Sequence, residues 1–265
     1  MLRSMNEIID YHFFAKKENI GRCKDLLLDD WWWTVRHLVA DTGGWLEGRQ
    51  VLISPVMIEN MDWETRMIMV NITRDQLENC PSPSEEETVS REHEKQIFMH
   101  YGFPDYWNGT GLWGAAAYPW ILDTEAVKEN QKTDEGEEQR ENHLRSFKEL
   151  KGYSIKASDG EIGHIEDFIL DDETWALRYV IVDTRNWLPG GKKVMLSLNW
   201  AKSVSWSESS FEMDMPKEHI KNGPEFDPEK PINVEYETRL YDYYGRPFEK
   251  NIDKNLQKQI ANPFI

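Results

Sequence analysis

The sequence predicts a mainly β protein with short helices, built as two tandem copies of one small, strongly bent sheet or barrel, each followed by C-terminal helices. Three observations predict it. The chain repeats itself over most of its length. Short β-rich runs with tight turn signals open each copy, and a helical pattern ending in Tyr-Gly-x-Pro closes each one.

The repeat is read by offset. At 142 residues, Leu2-Arg3-Ser4 falls on Leu144-Arg145-Ser146, Tyr11 on Tyr153, and Ile20-Gly21 on Ile162-Gly163. Leu28-Asp29-Asp30 falls on Leu170-Asp171-Asp172, and Trp33, Arg36 and Asp41-Thr42 fall on Trp175, Arg178 and Asp183-Thr184. One residue inserted after Gly190 changes the offset to 143, which then carries Val51, Ser54, Trp63, Asn79 and Pro81 onto Val194, Ser197, Trp206, Asn222 and Pro224. About 30 identities hold register over some 106 positions with that single gap, a length that chance does not sustain. The organisation is therefore 2–107 for the first copy, 108–143 for an aromatic and then acidic linker, 144–250 for the second copy, and 251–265 for a C-terminal tail.

In the second copy, Tyr153 to Ala157 reads as a strand ended by Ser158-Asp159-Gly160. Ile162 to Leu170 and Trp175 to Asp183 read as a hairpin turning at Asp171 to Thr174. Val180-Ile181-Val182 loses the polar alternation, as expected of a strand covered on both faces. Leu188-Pro189-Gly190-Gly191 has the residues of a type II turn. Lys193 to Ser197, Ser203 to Trp206 and Phe211 to Met213 supply the remaining strands. Thr73 to Leu77 and Pro216 to Ile220 read as single-turn helices, with Pro216 in a first-turn position. Val89, His93, Ile97 and His100, with their counterparts Ile232, Tyr236, Leu240 and Tyr243, trace one helical face in each copy.

Composition narrows the function. The chain has 265 residues, enough for one large or two modest domains with a real core. With 31 basic against 48 acidic residues its net charge is −17, a field that repels nucleic acid and anionic membrane surfaces and favours basic partners. Two cysteines exclude a disulfide framework and fit a reducing compartment. No window approaches eighteen apolar residues, and Met1 to Asn19 lacks the apolar core of a signal peptide. The expectation is a soluble, acidic, cytoplasmic protein without a transmembrane segment.

The run Ile162-Gly163-x-Ile165-x-Asp167-x-x-Leu170-Asp171, the strand end Val182-Asp183-Thr184 and the trailing Tyr236-Glu237-x-x-Leu240-Tyr241-x-Tyr243-Tyr244-Gly245-x-Pro247 resemble the bacterial PRC-barrel family. That module is named from the cytoplasmic domain of the photosynthetic reaction centre H subunit. The resemblance covers both copies and is stronger in the second; the first departs from it at Cys23 and at Trp31-Trp32-Trp33. It implies a small six-stranded barrel used for binding or assembly, with no catalytic residues, no cofactor and no metal of its own. The transmembrane helix of the H subunit has no counterpart here.

A residue kept in both copies serves the fold, whereas a residue exotic in one copy is the better candidate for a task. Asp41 and Asp183, at equivalent strand ends, fit turn amides, and acid–base or cation chemistry is the alternative. His93 and His100 stand two helical turns apart, roughly 10 Å, too far for one zinc ion. Cys23 and Cys80 belong to no Cys-x-x-Cys motif, and no phosphate loop, Gly-x-Ser-x-Gly or His-Glu-x-x-His occurs. Trp31 and Trp32 replace the polar Glu173 and Thr174 of the second copy. They form either a hot spot for a partner or a docking place for Trp113, Tyr118 and Trp120 of the linker. With Tyr236 and Tyr243 these residues are the candidate partner or inter-repeat contacts, in one chain or in a homodimer. The function expected is a non-catalytic binding or assembly module acting on a protein partner. The alternatives are a small-molecule or metal-responsive sensor with a groove between the barrels, and a hydrolase using the paired acids.

Overall fold

The structure, a computed structural model, describes residues 1–81, 89–107, 109, 111–114, 116–120, 143–185 and 191–248. The linker acids of 123–142, the turn residues 188–190 and the tail 251–265 lie outside them. Contacts divide the chain into two units. One holds the described residues of Met5–Lys148 with Asp172–Ala176; the other holds Met1–Ser4, Glu149–Asp171 and the described residues from Leu177 onward.

The first unit contains α1 (Met5–Ile8), β2 (His12–Ala15), β3 (Glu18–Asp29), β4 (Thr34–Asp41), β5 (Gln50–Ile53), β6 (Ile58–Asp62), β7 (Met67–Val70), α2 (Arg74–Glu78), α3 (Arg91–Tyr101) and β8 (Leu144–Ser146). Its sheet runs β5-β4-β3-β2-β7-β6, with β8 paired to β3. The second unit contains β1 (Leu2–Ser4), β9 (Ser154–Ala157), β10 (Gly160–Asp171), β11 (Leu177–Asp183), β12 (Lys193–Ser197), β13 (Ala201–Ser205), β14 (Ser210–Met213), α5 (Lys217–Lys221) and α6 (Val234–Tyr244); α4 (Phe147–Leu150) spans the division. Its sheet runs β12-β11-β10-β9-β14-β13, with β1 paired to β10. The molecule is thus mainly β, with two seven-stranded sheets of the same path. In each, one parallel pair (β2 with β7, β9 with β14) sits among antiparallel ladders.

The hydrogen-bonded path of each sheet is open among the described residues, which corrects the expectation of a closed barrel ladder. Its two edge strands are nevertheless joined by one short 3-10 turn, Pro55–Met57 in the first unit and Leu198–Trp200 in the second. Three residues reach about 10 Å, so each sheet curls until its edges meet at a corner without sharing a ladder.

Two glycines permit that curl. A Cβ on Gly21 would lie 2.4 Å from the Asp41 carbonyl oxygen, and one on the equivalent Gly163 would lie 2.3 Å from that of Asp183. Both long strands carry a bulge just beyond, between Cys23 and Asp25 and between Ile165 and Asp167, which tightens the twist.

The N-terminal strand of each repeat completes the sheet of the other. Leu2, Arg3 and Ser4 face Asp171, Leu170 and Ile169, whereas Leu144, Arg145 and Ser146 face Asp29, Leu28 and Leu27. The two registers are equivalent position for position. Ser4 Oγ donates to Asp167 Oδ2 and Ser146 Oγ to Asp25 Oδ2, each at 2.5 Å.

Val180, Ile181 and Val182 are all buried, as a doubly covered strand requires. Trp175 is not in a strand: like Trp33 it has a left-handed backbone (φ 61° and 49°) and closes the hairpin turn. Pro216 caps α5 from outside rather than opening its first turn. The helical faces are rotated from the expected ones. Glu94, Ile97, Phe98 and Tyr101 are buried on α3, and Glu237, Leu240 and Tyr244 on α6, so of the expected positions only Ile97 and Leu240 are fully buried, while His93, His100 and Tyr236 are half-buried.

Candidate functional site

Helix α3 starts where Ser90 Oγ accepts from the His93 amide and ends at Gly102 in a left-handed conformation. Its inward face places the fully buried carboxylate of Glu94 against β4. A buried charge persists only when its lone pairs are met, and four side chains meet these. His37 Nε2 lies 2.8 Å and the Tyr106 hydroxyl 2.7 Å from Oε1. His143 Nε2 lies 3.0 Å and Arg91 Nη1 3.2 Å from Oε2. A carboxylate only accepts, so both histidines carry hydrogen on Nε2. Their Nδ1 atoms are buried with no protein hydrogen-bond partner among the described residues. Burial alone would raise the Glu94 pKa, but hydrogen bonds from His143 and His37 hold it well below the usual carboxylate range. Burial, with the Glu94 charge beside it, pushes the Tyr106 hydroxyl far above the ordinary tyrosine range.

A second ion pair adjoins the first. Arg36 on β4 is buried, and its Nε and Nη2 donate to Asp29 Oδ2 at 3.0 and 2.9 Å. Its Nη1 donates to the Leu112 carbonyl at 2.7 Å, and its guanidinium lies over the rings of Tyr106 (4.2 Å) and Trp113 (4.7 Å). Asp29 Oδ1 accepts from the amides of Trp31 and Trp32, both at 2.8 Å, so this carboxylate pins the tryptophan turn. Arg91 lies over Trp107 at 4.4 Å.

Above the cluster is a cavity of about 30 Å³ with walls that include Trp31, Trp32, Tyr106, Trp107, Arg91 and His143. It has room for about two waters and not for a metabolite. His143 and Arg91, which line it, each carry one buried polar atom without a protein hydrogen-bond partner among the described residues, Nδ1 and Nε respectively. The arrangement can hold water and bury charge.

Of the sequence-predicted contacts, Trp31 and Trp32 are half-buried at this cavity. Trp113 is fully buried, with its Nε1 donating to the Thr174 carbonyl at 2.9 Å. Tyr118 stacks on Trp120 at 5.4 Å, and Trp120 remains 62% exposed. In the other unit, Tyr236 donates to the Glu225 carbonyl, and the 36%-exposed Tyr243 donates to that of His219.

The paired acids serve turns. Asp41 Oδ1 accepts from the Gly43 amide and Asp183 Oδ1 from the Arg185 amide. Hydrogen bonds from the Arg185 side chain hold the Asp183 carboxyl well below its usual range. His100 Nε2 donates to the Gln76 carbonyl at 2.7 Å. Among the described residues no three His, Cys, Asp or Glu side chains converge in a metal-binding group.

Sequence reasoning missed Glu94, His37, His143, Tyr106 and the Arg36–Asp29 pair. A usable signal was present: Arg36 and His37 interrupt an apolar strand, and polar residues in a strand covered on both faces need buried partners. In the second unit the equivalent of His37–Glu94 is Tyr179–Glu237, the hydroxyl donating at 2.5 Å.

A helix packed on a bent sheet through a buried strand-to-helix acid contact thus occurs in both units. Residues 143–220 match the PRC-barrel domain. The matched segment runs from just before β8, through the curled sheet β9 to β14, to Ile220 in α5. A search of curated proteins returned no match. Among the described residues no helix is long and apolar enough to cross a membrane.

Proposed function

We propose that the protein is a non-catalytic binding or assembly protein of two PRC-type modules that acts through protein–protein contacts. The observation that carries this reading is the PRC-barrel match at 143–220, together with the recurrence of the same strand path in the first half. The residues peculiar to the first repeat are taken up by one another in a buried network and leave space only for water, which supports a structural rather than a chemical role for them. The side chains best placed for a partner are the half-buried Trp31 and Trp32 and, separately, the exposed Trp120, because aromatic side chains bring large contact area at low entropic cost.

The test is cross-linking of the tagged full chain in its native extract followed by mass spectrometry. A single stoichiometric partner, with cross-links near Trp31 or Trp120 and lost in a folded W31E/W32T variant, is the expected result. Recovery of the protein alone, or an unchanged partner yield from the variant, counts against the reading.

A further inference from the structure

The second unit carries a groove of about 1000 Å³ that departs from the charge of the chain. Five cations line it, Arg185, Lys192, Lys193, Lys230 and Arg239, against two acids, Glu225 and Asp227, in a protein of net charge −17. Three of the cations are engaged: Arg185 with Asp183, Lys193 with Glu166 at 2.6 Å, and Lys230 with Asp227 at 2.8 Å. Among the described residues Lys192 and Arg239 have no carboxylate partner; Arg239 only lies over the Tyr236 ring at 5.2 Å.

The first repeat serves as an internal control. At the positions of Arg185, Lys193, Lys230 and Arg239 it has Gly43, Gln50, Glu87 and Gln96. At the position of Lys192 it has Arg49, whose guanidinium is spent inside the fold: it donates to the carbonyls of Leu77, Glu78 and Cys80 that end α2. Lys192 makes no such bonds to the end of α5 among the described residues. The fold therefore does not require the positive charge of this groove. The two cations without a carboxylate partner among the described residues, beside the rings of Phe226 and Tyr243, fit a ligand that is anionic and partly apolar.

We propose that this groove binds an acidic, extended protein segment, whose carboxylates meet Lys192 and Arg239 and whose side chains lie along Phe226 and Tyr243. The occupant is a peptide rather than a free phosphate compound because a groove of about 1000 Å³ far exceeds a phosphate group, and its two uncommitted cations come from separate elements, the approach to β12 and helix α6. The proposal rests on the protein-contact reading above but concerns a different surface.

The test is fluorescence anisotropy of a labelled deca-glutamate peptide with the full chain at 50 mM salt, with tripolyphosphate titrated separately. Saturable peptide binding is expected, weakened about tenfold by K192E/R239E and strongly reduced at 300 mM salt, with K151E/K202E within twofold of the parent. If the charge-reversed variant does not fold, K192Q/R239Q is read instead, with a smaller loss in the same direction. No saturable peptide binding, equal loss in both variants, or binding of tripolyphosphate alone overturns the proposal. Lost peptide binding with the cross-linked partner retained removes the groove alone; intact peptide binding without a partner at Trp31 removes only the earlier surface.

Discussion

His37 donates from Nε2 to Glu94 Oε1 at 2.8 Å where the second unit has Tyr179 donating to Glu237 at 2.5 Å. The two pairs occupy equivalent positions on the strand and the helix, so a strand-to-helix hydrogen bond to a buried acid belongs to the fold. Among the described residues the tyrosine pair closes on itself. The histidine pair recruits more: Glu94 also draws in His143, Arg91 and Tyr106, and the cluster ties the segment after α3 and the approach to β8 to the first sheet.

The first prediction concerns Glu94. Its folded pKa is depressed from an ordinary value near 4.5, so it contributes stability that is fully present above that pH and is lost progressively as pH falls below it toward the depressed folded value. Glu94→Gln removes the charge that four donors converge on, and is expected to cost about 3 kcal/mol at pH 7. Urea midpoints measured from pH 7 to pH 3 should fall below pH 4.5 in the parent and stay flatter in the variant. Equal pH slopes would sink this assignment.

Arg36 is next. Arg36→Ala leaves the buried Asp29 without its guanidinium and strands the Leu112 carbonyl, an expected loss of about 3–5 kcal/mol. Arg36→Lys keeps the charge but cannot reach Asp29 and Leu112 together, and should lose about 2 kcal/mol. The check is equilibrium unfolding of both variants; a lysine variant as stable as the parent would show that only charge matters here.

The strands were legible because the repeat doubles the signal, and the single-turn helices because Thr73 and Pro216 punctuate them. The exchange of β1 and β8 was not. Both read Leu-Arg-Ser, so an alignment of one copy on the other places them in equivalent sites without saying whose sheet they join. The face of α3 was misread because the spacing of Val89, His93, Ile97 and His100 was taken as its inner stripe, whereas the carboxylate of Glu94 is as fully buried as Ile97 and Phe98. Trp31 and Trp32 were found as an asymmetry, but the Asp29 and Arg36 that hold their turn occur in both copies and so looked merely structural.

Ser4 and Ser146 should behave alike. Each hydroxyl meets a carboxylate in an equivalent register, on Asp167 and on Asp25. Ser4→Ala and Ser146→Ala are each expected to cost about 1.5–2 kcal/mol, as for hydrogen bonds to charged groups. Thermal unfolding of the two variants measures this. A clear loss in one and none in the other would mean that the exchanged strands are not energetically equivalent.

The cysteines give a probe of local opening. Burial pushes both thiols up from their ordinary range, so native Cys23 and Cys80 should resist an aromatic disulfide reagent at pH 8. Cys23 lies on β3 between β2 and β4, and its exposure requires breaking the sheet. Cys80 follows α2, where Arg49 Nη2 holds its carbonyl at 2.5 Å. Sub-denaturing urea should therefore label Cys80 before Cys23. Arg49→Ala should speed Cys80 labelling about tenfold and leave Cys23 unchanged, because the lost bonds close only the end of α2. Labelling of both at one rate in that variant would mean that the end of α2 opens only when the whole sheet does.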